Sequence, residues 1–383
     1  MKSGVILCFL CLFGISSLSA QNNPTPPDLV GQDNAITTAV PFLVISPDAR
    51  HAALGEVGVA TSPDANSAYW NPGKLAFIDY QYGGTLSYTP WLGKIVNDMS
   101  ISYLGGFYKI TREQAVSLGI KYFDLGEINF SDNSGGSLGD FNPREFAFDG
   151  TYSRMLTENL GIGLTGRYIF SNLTGAYSGN DAKPGHSVAA DLGIFYTTEI
   201  KKSARSATLS LGAAITNIGA KISYTNAENE DFIPTNLRLG GAYTSELDPY
   251  NKLTFILDFN KLMVPTPNGT RSAERTLLSG MFSSFSDAPG GASEELDEVM
   301  TSAGVEYWYR DIFAGRIGYF NEAQNKGNRK YMTLGVGFRK NAFGIDVAYL
   351  VPTNKREHPL AETIRFTLLL QLKDAVEEES VTD

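Results

Sequence analysis

Apolar and polar residues alternate at every second position through most of the chain, from residue 81 to residue 373. Between Leu160 and Phe170, the even positions carry mostly large apolar side chains, and the odd positions carry mostly glycine, threonine or arginine. A period of two indicates β-strands, because successive side chains of a strand point to opposite faces. The pattern predicts about fourteen strands, near residues 81–90, 97–110, 114–124, 145–156, 159–171, 186–199, 205–218, 235–245, 251–262, 300–310, 312–321, 328–340, 342–352 and 361–373.

The polar face of the predicted strands carries charged residues as well as glycine. A soluble β-sandwich shows the same alternation, since it buries one face of each sheet and exposes the other. Here the apolar faces are large and aromatic and the opposite faces are rich in glycine, which suits a crowded lumen better than a solvated sheet. We therefore expect an all-β fold, a membrane-spanning antiparallel β-barrel over residues 81–373. The charged residues expected in its lumen are Arg167, Asp191, Arg238, Asp258, Glu306, Arg316, Arg339, Asp346 and Arg365.

The lengths of the predicted connections alternate too. Outer-membrane barrels have short turns on the periplasmic side and long loops on the external side. An even number of strands then predicts that both termini face the periplasm, from where the N-terminal segment enters the barrel. The short connections lie at 111–113, 157–158, 248–250, 310–311 and 340–341, and longer ones lie at 126–144, 172–185, 219–234 and 263–299.

Residues 21–80 differ from the strands and are predicted to form an N-terminal arm and a small helical plug. Ser46-Pro47-Asp48 combines a capping hydroxyl, a proline and an acid, and predicts a helix over residues 49–54. The same kind of signal at Ser62-Pro63-Asp64 predicts a second short helix that continues through Trp70.

Both ends of the chain are predicted to lie outside the barrel. Residues 1–20 have the lysine, the apolar run from Val5 to Ile15 and the small residues of a signal peptide. That run is shorter than the roughly twenty residues a membrane-spanning helix needs. The only two cysteines, Cys8 and Cys11, lie within it, so we expect a mature chain without disulfides, cysteine nucleophiles or thiolate metal sites. Residues 374–383 form an acidic tail.

The overall composition agrees with an exported barrel. The formal net charge is -10, which argues against nucleic acid as a partner because that binding depends on a basic surface. The chain has 19 tyrosines, 22 phenylalanines and 39 glycines, a combination typical of many strands with aromatic girdles at the two membrane interfaces.

Motifs for chemistry are weak in this sequence. Gly161-x-Gly163-x-x-Gly166 matches a dinucleotide fingerprint, but it lies inside an alternating strand and not at a strand–helix turn. The histidines, His51, His186 and His358, are far apart, and residues 132–140 lack the closing glutamate of a calcium loop. We therefore expect no catalytic residue, no cofactor and no metal site.

Three blocks in the plug resemble the hatch of the FadL-like outer-membrane family, whose members have fourteen strands and a short asparagine-proline motif. The blocks are Asp48–Gly55, Gly58-Val59-Ala60 and Ser67–Ala76. Within that family, the plug motif Tyr69-Trp70-Asn71-Pro72, with Asn34–Leu43 and Tyr88–Leu92, is most similar to the PorV (LptO) branch.

This resemblance implies a function in type IX protein secretion. A PorV-like protein would bind secreted cargo through the cargo's C-terminal domain at a very large translocon barrel of the SprA/Sov type. It would then deliver the cargo to a cell-surface attachment complex that contains a sortase-like protease, and it would contact outer-membrane lipid throughout. The alternative is a FadL-like transporter of hydrophobic small molecules, which needs an apolar pocket beside the plug. A lipid-modifying enzyme is a third possibility and would need clustered polar residues at the lipid interface.

External loops are the expected docking surface for cargo or translocon. Aromatic side chains at such loops are favoured, because they anchor protein interfaces more often than other residues do. The candidates are Trp91, Leu92, Phe130, Phe141, Tyr224, Phe232, Phe282 and Phe285.

Overall fold

The computed structural model describes residues 34–92, 98–131, 137–173, 183–202, 205–225, 229–267, 274–353 and 363–373. The predicted signal peptide, the N-terminal arm before Asn34 and the acidic tail lie outside these residues.

Strands make up most of the described chain. They are β1 (Tyr82–Pro90), β2 (Ser100–Thr111), β3 (Gln114–Asp124), β4 (Ile128–Ser131), β5 (Ser137–Phe141), β6 (Arg144–Met155), β7 (Leu160–Asn172), β8 (Gly185–Lys202), β9 (Arg205–Gly219), β10 (Ile222–Ser223), β11 (Glu230–Asp231), β12 (Asn236–Asp248), β13 (Asn251–Leu262), β14 (Val299–Tyr309), β15 (Phe313–Asn321), β16 (Lys330–Lys340), β17 (Phe343–Pro352) and β18 (Ile364–Leu372).

The helices are few and short. They are α1 (Ala49–Ala52), α2 (Ser67–Trp70), α3 (Leu277–Ser283) and α4 (Ala292–Asp297), with 3₁₀ turns at Pro41–Val44, Pro72–Phe77 and Gln324–Lys326. No helix in the described ranges is long and apolar enough to cross a membrane.

Fourteen strands close into one antiparallel barrel, which confirms the predicted fold class. Each strand pairs with the next barrel strand along the chain, and β1 closes the ring by pairing with β18, with Tyr82 opposite Leu372 and Tyr88 opposite Phe366. Closure leaves no sheet edge with unpaired backbone groups, a requirement for strands that lie in lipid.

The two faces of the wall divide as the alternation predicts. On β7, the side chains of Ile162, Leu164 and Tyr168 are exposed on the outside, whereas Thr165 and Arg167 are buried in the lumen. Eight of the nine charged residues expected in the lumen are buried, and Arg339, partly exposed near the end of β16, pairs with a buried Asp346. The outer surface is therefore apolar and suits a bilayer, and the polar groups face inward.

The connections separate the two ends of the barrel. Those that follow β2, β6, β8, β12, β14 and β16 are short, and we call this end the short-turn end. The other connections are longer, and they mark the long-loop end. The long loops contain two small hairpins, β4–β5 and β10–β11, and the helices α3 and α4, none of which was predicted. These elements are too short to show a period of their own in the sequence.

The plug lies inside the barrel, and its helices are shorter than the sequence predicts. The second helix begins at Ser67 and not near Asp64. The reason is that the Asp64 carboxylate accepts hydrogen bonds from Arg50 and from the backbone N–H of Asn66, and the Asp64 N–H donates to the Ser67 hydroxyl. These bonds hold a turn where the sequence suggested a first helical turn.

Glycines in the wall let the plug approach the strands closely. A methyl group at Gly163 would overlap the backbone of Pro72, and one at Gly318 would overlap the backbone of Leu54 and Gly55. Two glycines of the apparent dinucleotide motif, Gly161 and Gly163, therefore have a packing role, since they make room for the plug.

Replacing Gly318 with alanine should loosen the plug, because the added methyl group meets backbone atoms that cannot rotate away. We expect the free energy of unfolding to fall by about 1–3 kcal/mol, the usual cost of overpacking. It can be measured by urea titration of the purified protein in detergent. The matched control is Gly315→Ala on the same strand, where a methyl group meets nothing within 4 Å. Equal losses in both variants would contradict this account.

Candidate functional site

The motif Tyr69-Trp70-Asn71-Pro72 forms the centre of the plug. The Asn71 side-chain amide donates to the carbonyl oxygens of Val59 (3.0 Å) and Ile194 (2.9 Å), and its oxygen accepts from the backbone N–H of Gly73. Ile194 lies on β8, so Asn71 fastens the plug to the wall. These three bonds need a side chain that carries an NH2 group and a carbonyl oxygen. Only asparagine and glutamine have both, and glutamine is one methylene longer.

The two aromatic residues of the motif hold other parts of the plug. The Tyr69 hydroxyl lies within hydrogen-bonding distance of the carbonyl oxygens of Leu43 (2.9 Å) and Ile45 (2.8 Å), which share its single proton. The guanidinium carbon of Arg238, on β12, lies 5.4 Å and 5.0 Å from the ring centroids of Tyr69 and Trp70. This cation–π stacking joins the motif to a second part of the wall.

A chain of buried polar side chains runs through the plug. His51 Nδ1 lies 2.7 Å from Asp48 Oδ2, His51 Nε2 lies 3.0 Å from the Thr61 hydroxyl, and Lys74 Nζ donates to the same hydroxyl at 2.7 Å. Trp70 Nε1 donates to the second Asp48 oxygen at 2.8 Å. From the sequence, His51 was expected to be an isolated residue. All of its partners lie close to it in the sequence, between residues 48 and 74, and this proximity could have indicated the contacts.

An acid, an imidazole and a hydroxyl in this order are also the groups of nucleophilic catalysis. Here the Thr61 hydroxyl is only 1% exposed and already contacts Lys74, His51 and the Gly58 carbonyl oxygen. A substrate has no access to the Thr61 hydroxyl in this conformation. These hydrogen-bonded side chains therefore stabilise the plug. Within the described residues, no group of three or more histidine, aspartate or glutamate side chains is arranged to hold a metal ion.

An ion network joins the plug to the wall. Arg50 pairs with Asp64 within the plug (2.9 Å) and with Glu306 on β14 through two hydrogen bonds (2.8 and 3.0 Å). Glu306 also accepts from Arg316 on β15 (2.7 Å), which in turn donates to Asp346 on β17 (2.7 Å). All five side chains are buried, so each depends on the others for its partners.

A second network holds the opposite part of the wall. Arg167 pairs with Asp149 and, at 2.9 Å, with Asp191. Asp191 also accepts from the backbone N–H of Asn217, which has a left-handed backbone (φ 60°) where the pairing of β8 and β9 changes register. The bulge thus satisfies a buried carboxylate with a main-chain donor.

One small cavity lies beside the plug. The cavity lined by Ala52, Glu56, Thr333 and Arg365, among others, has a volume of about 10 Å³. This is room for one water molecule and not for a hydrophobic ligand.

At the long-loop end, a cluster of ionic side chains joins several loops. Lys326 pairs with Glu294 and with Glu298 (3.0 Å), and Lys261 at the top of β13 pairs with Glu298 and with Glu295 (3.1 Å). Burial raises the pKa of Glu294, but the hydrogen bond and the charge of Lys326, together with hydrogen bonds from the Gly290 N–H and Asn34, bring the pKa below its ordinary value. We call Lys261, Glu294, Glu295, Glu298 and Lys326 the loop ion cluster.

Two of the predicted docking residues are buried in the loops. Trp91 is 8% exposed and packs against Phe123, with 6.0 Å between ring centroids, and Phe232 is 4% exposed. Their rings stabilise the loops and are not presented to a partner in this conformation. Leu92, Phe141 and Tyr224 are partly buried, and Phe130 lies on β4.

The other two predicted residues, Phe282 and Phe285, are strongly exposed, at 69% and 43%. Sequence analysis missed two neighbours in the same loop, Leu278 (59%) and Leu296 (74%). The spacing of 278, 282 and 285 is that of one helix face, and this was the available signal. In the structure Leu278 and Phe282 lie on α3, and Phe285 lies in the turn that follows it. We call Leu278, Phe282, Phe285 and Leu296 the apolar loop residues.

The apolar loop residues project from α3, from the turn after it and from α4, and both helices are anchored on their other side. Gly280 and Met281 of α3 are buried, and Gly280 lies against the ring of Phe232. Glu294 of α4 belongs to the loop ion cluster. The exposed side chains are therefore held on a fixed base. The ammonium group of Lys261 lies 5.6 Å from the centroid of the Phe285 ring, and the four side chains stay largely open to contact.

Removing Arg50 should test how strongly the plug depends on its ion network. Arg50→Met leaves Glu306 and Asp64 buried without their shared cation, so we expect a loss of about 3–5 kcal/mol in the free energy of unfolding. The control is Lys252→Met, since Lys252 forms a partly exposed pair with Asp311 (3.0 Å) that contributes at most about 1 kcal/mol. The free energy of unfolding of both variants can be measured by urea titration. A similar small decrease in each would show that the Arg50 network contributes little to holding the plug.

Comparison with known proteins places this geometry in a family. The family model described as type IX secretion system protein PorV matches residues 29–269, which is more than half of the chain. No curated protein matches the chain. The solved structure of the Ralstonia pickettii toluene transporter TbuX is similar over 87% of this chain and 99% of its own, with 12% identity and a TM-score of 0.47. A Pseudomonas aeruginosa FadL homologue is similar over 86% and 99%, with 12% identity and a TM-score of 0.43. Because the family model covers most of the plug and barrel, the chain belongs to the PorV family of outer-membrane proteins of the type IX secretion system.

Proposed function

We propose that this protein binds type IX cargo at the translocon barrel, through the cargo's C-terminal domain, and delivers it to the attachment complex at the cell surface. It does so as a binding protein without catalytic activity. Family membership supports a place in this secretion system, and the exposed apolar loop residues support a role in binding partners.

The observation that carries this proposal is the contrast between a filled lumen and an open apolar surface on the loops. The plug occupies the barrel and is fastened by buried ions, whereas Phe282 is 69% exposed on an anchored helix. Large exposed apolar side chains on anchored loops are typical of protein-binding surfaces. We therefore assign the function of the protein to partner binding at its long-loop end and not to transport through its lumen.

The orientation follows the general rule for outer-membrane barrels, with long loops outside and short turns in the periplasm. The last strand, β18, ends at Leu372 opposite Tyr82 at the short-turn end, so this end of β18 is assigned to the periplasm. In this orientation the apolar loop residues meet cargo that has already crossed the membrane.

The alternative is transport of a hydrophobic small molecule, which requires a lumen pocket beside the plug. The cavity there holds about one water molecule, and the side chains around the plug are largely charged or small. This function would need the plug to move away from its ionic partners. Recovery of a bound fatty acid or hydrocarbon from the purified barrel would favour the alternative.

The direct test is affinity purification of the tagged protein from solubilised outer membranes, followed by mass spectrometry. We expect a giant barrel and cargo proteins that share a C-terminal domain to co-purify. Deletion of the protein should also remove cargo from the cell surface. Normal surface cargo in the deletion strain would refute the proposal.

Phe282→Ser should weaken the binding of partners about thirtyfold or more, because a central aromatic anchor typically contributes about 2 kcal/mol or more. The matched control is Leu156→Ser, since Leu156 is 53% exposed but lies in a short turn at the opposite end. Both variants should keep the electrophoretic shift on heating that a folded barrel shows. If equal amounts of cargo and translocon co-purify with both variants, the α3–α4 loop is not part of the docking surface.

A further inference from the structure

The first residue that the structure describes, Asn34, lies at the long-loop end of the barrel. Its backbone N–H donates to the carbonyl oxygen of Asn325 (2.9 Å), and its side-chain amide donates to Glu294 (3.4 Å). Asn325 lies in the loop between β15 and β16, and Glu294 lies on α4 in the loop between β13 and β14.

A second contact fixes the same segment to a third loop. The N–H of Ala39 donates to the carbonyl oxygen of Phe232, in the loop between β9 and β12 (3.0 Å). Residues 34–39, which we call the leading segment, are therefore tied to three separate long loops.

The other end of the plug lies at the opposite end of the barrel. The N–H of Gln81 donates to the carbonyl oxygen of Leu372, the last residue of β18, and β1 begins at the next residue, Tyr82. The chain thus crosses the whole lumen between Ala39 and Gln81, passing the ion network at Arg50 and the motif at Asn71 on its way.

We propose that the plug is threaded through the barrel from the long-loop end, so that the leading segment is presented on the same face as the apolar loop residues and forms part of the partner-binding surface. The assignment of this face to the cell exterior rests on the proposed function. The sequence analysis expected the N-terminal segment to enter the barrel from the periplasm, whereas the contacts of residues 34–39 place the start of the described plug at the long-loop end. The even number of strands determines only that β1 begins at the same end of the barrel at which β18 ends. The plug precedes β1 and is long enough to span the lumen, so its own start lies at the other end.

The chemistry of the leading segment fits a polypeptide partner. Asn34-Ala35-Ile36-Thr37-Thr38-Ala39 carries no charge, and Ala35 and Thr37 are exposed. Among the described residues, no backbone hydrogen bond involves the N–H groups of residues 35–38. Main-chain groups of this kind are what an added strand or loop of a partner can pair with.

Single cysteines can test the threading, because the only natural cysteines lie in the predicted signal peptide. Thr37→Cys reports on the leading segment, Ser286→Cys on the long loops and Glu158→Cys on the short turns, and all three positions are exposed. Intact cells and permeabilised cells are treated with a polyethylene-glycol maleimide too large to cross the outer membrane. A gel shift measures the modified fraction.

We expect Thr37→Cys and Ser286→Cys to react in intact cells, and Glu158→Cys to react only after permeabilisation. If Ser286→Cys reacts in intact cells and Thr37→Cys does not, the threading is overturned while the proposed orientation stands. If Thr37→Cys and Ser286→Cys both require permeabilisation and Glu158→Cys does not, the threading stands and the orientation in the proposed function falls.

Contact with a partner is tested by the same cysteine in the purified assembly. We expect Thr37→Cys to react at least about fivefold more slowly in the complex with cargo and translocon than in the isolated barrel. Glu158→Cys provides the baseline rate at the far end. An unchanged rate at Thr37, in a complex that protects Ser286→Cys, would remove the leading segment from the binding surface.

Discussion

The pairing of Arg50 with Glu306 and Asp64 is the interaction on which the arrangement of this protein depends. A closed barrel of this size encloses charged side chains that have no bulk water around them, and a buried charge without a partner is strongly unfavourable. Within the wall, Glu306, Arg316, Asp346 and Arg339 form a row of ion pairs, and Arg50 of the plug adds a second cation to Glu306. Without the plug, Glu306 would lose both of its hydrogen bonds from Arg50, so the plug is a structural component of the barrel.

Other features follow from the need to bring the plug this close. The wall has glycine where plug backbone passes, as at Gly163 beside Pro72 and Gly318 beside Gly55. The motif at Asn71 satisfies backbone carbonyl groups that are left over where plug and strand meet. The lumen is consequently filled, and the surface available to a large partner lies on the long loops.

The fold was largely predictable from sequence, because a period of two over ten residues is a strong and repeated signal. Strands such as β7 and β16 were located within two residues, and the charged residues of the lumen were assigned by their position in that period. Long loops have no such period, so α3 and α4 were not predicted. The exposure of an aromatic side chain in these loops could not be predicted from its residue type. Trp91 and Phe232 were expected to project outward, yet an aromatic side chain in a loop can stabilise that loop as readily as it can meet a partner. The start of α2 was misplaced for a similar reason, since Asp64 satisfies a tertiary partner and not a helix end.

The pairing of β1 with β18 has a consequence for the biogenesis of the protein. The strand made first can complete its hydrogen bonds only with the strand made last, so the ring stays open until the whole chain has been synthesised and delivered. The plug directly precedes β1, so it is present while this seam is still open and can be enclosed as the ring closes. A chain that stops before β18 would therefore lose more than one strand. It would keep its N-terminal segment unenclosed, leave the partners of Arg50 accessible to water, and expose an unpaired edge to proteases of the periplasm.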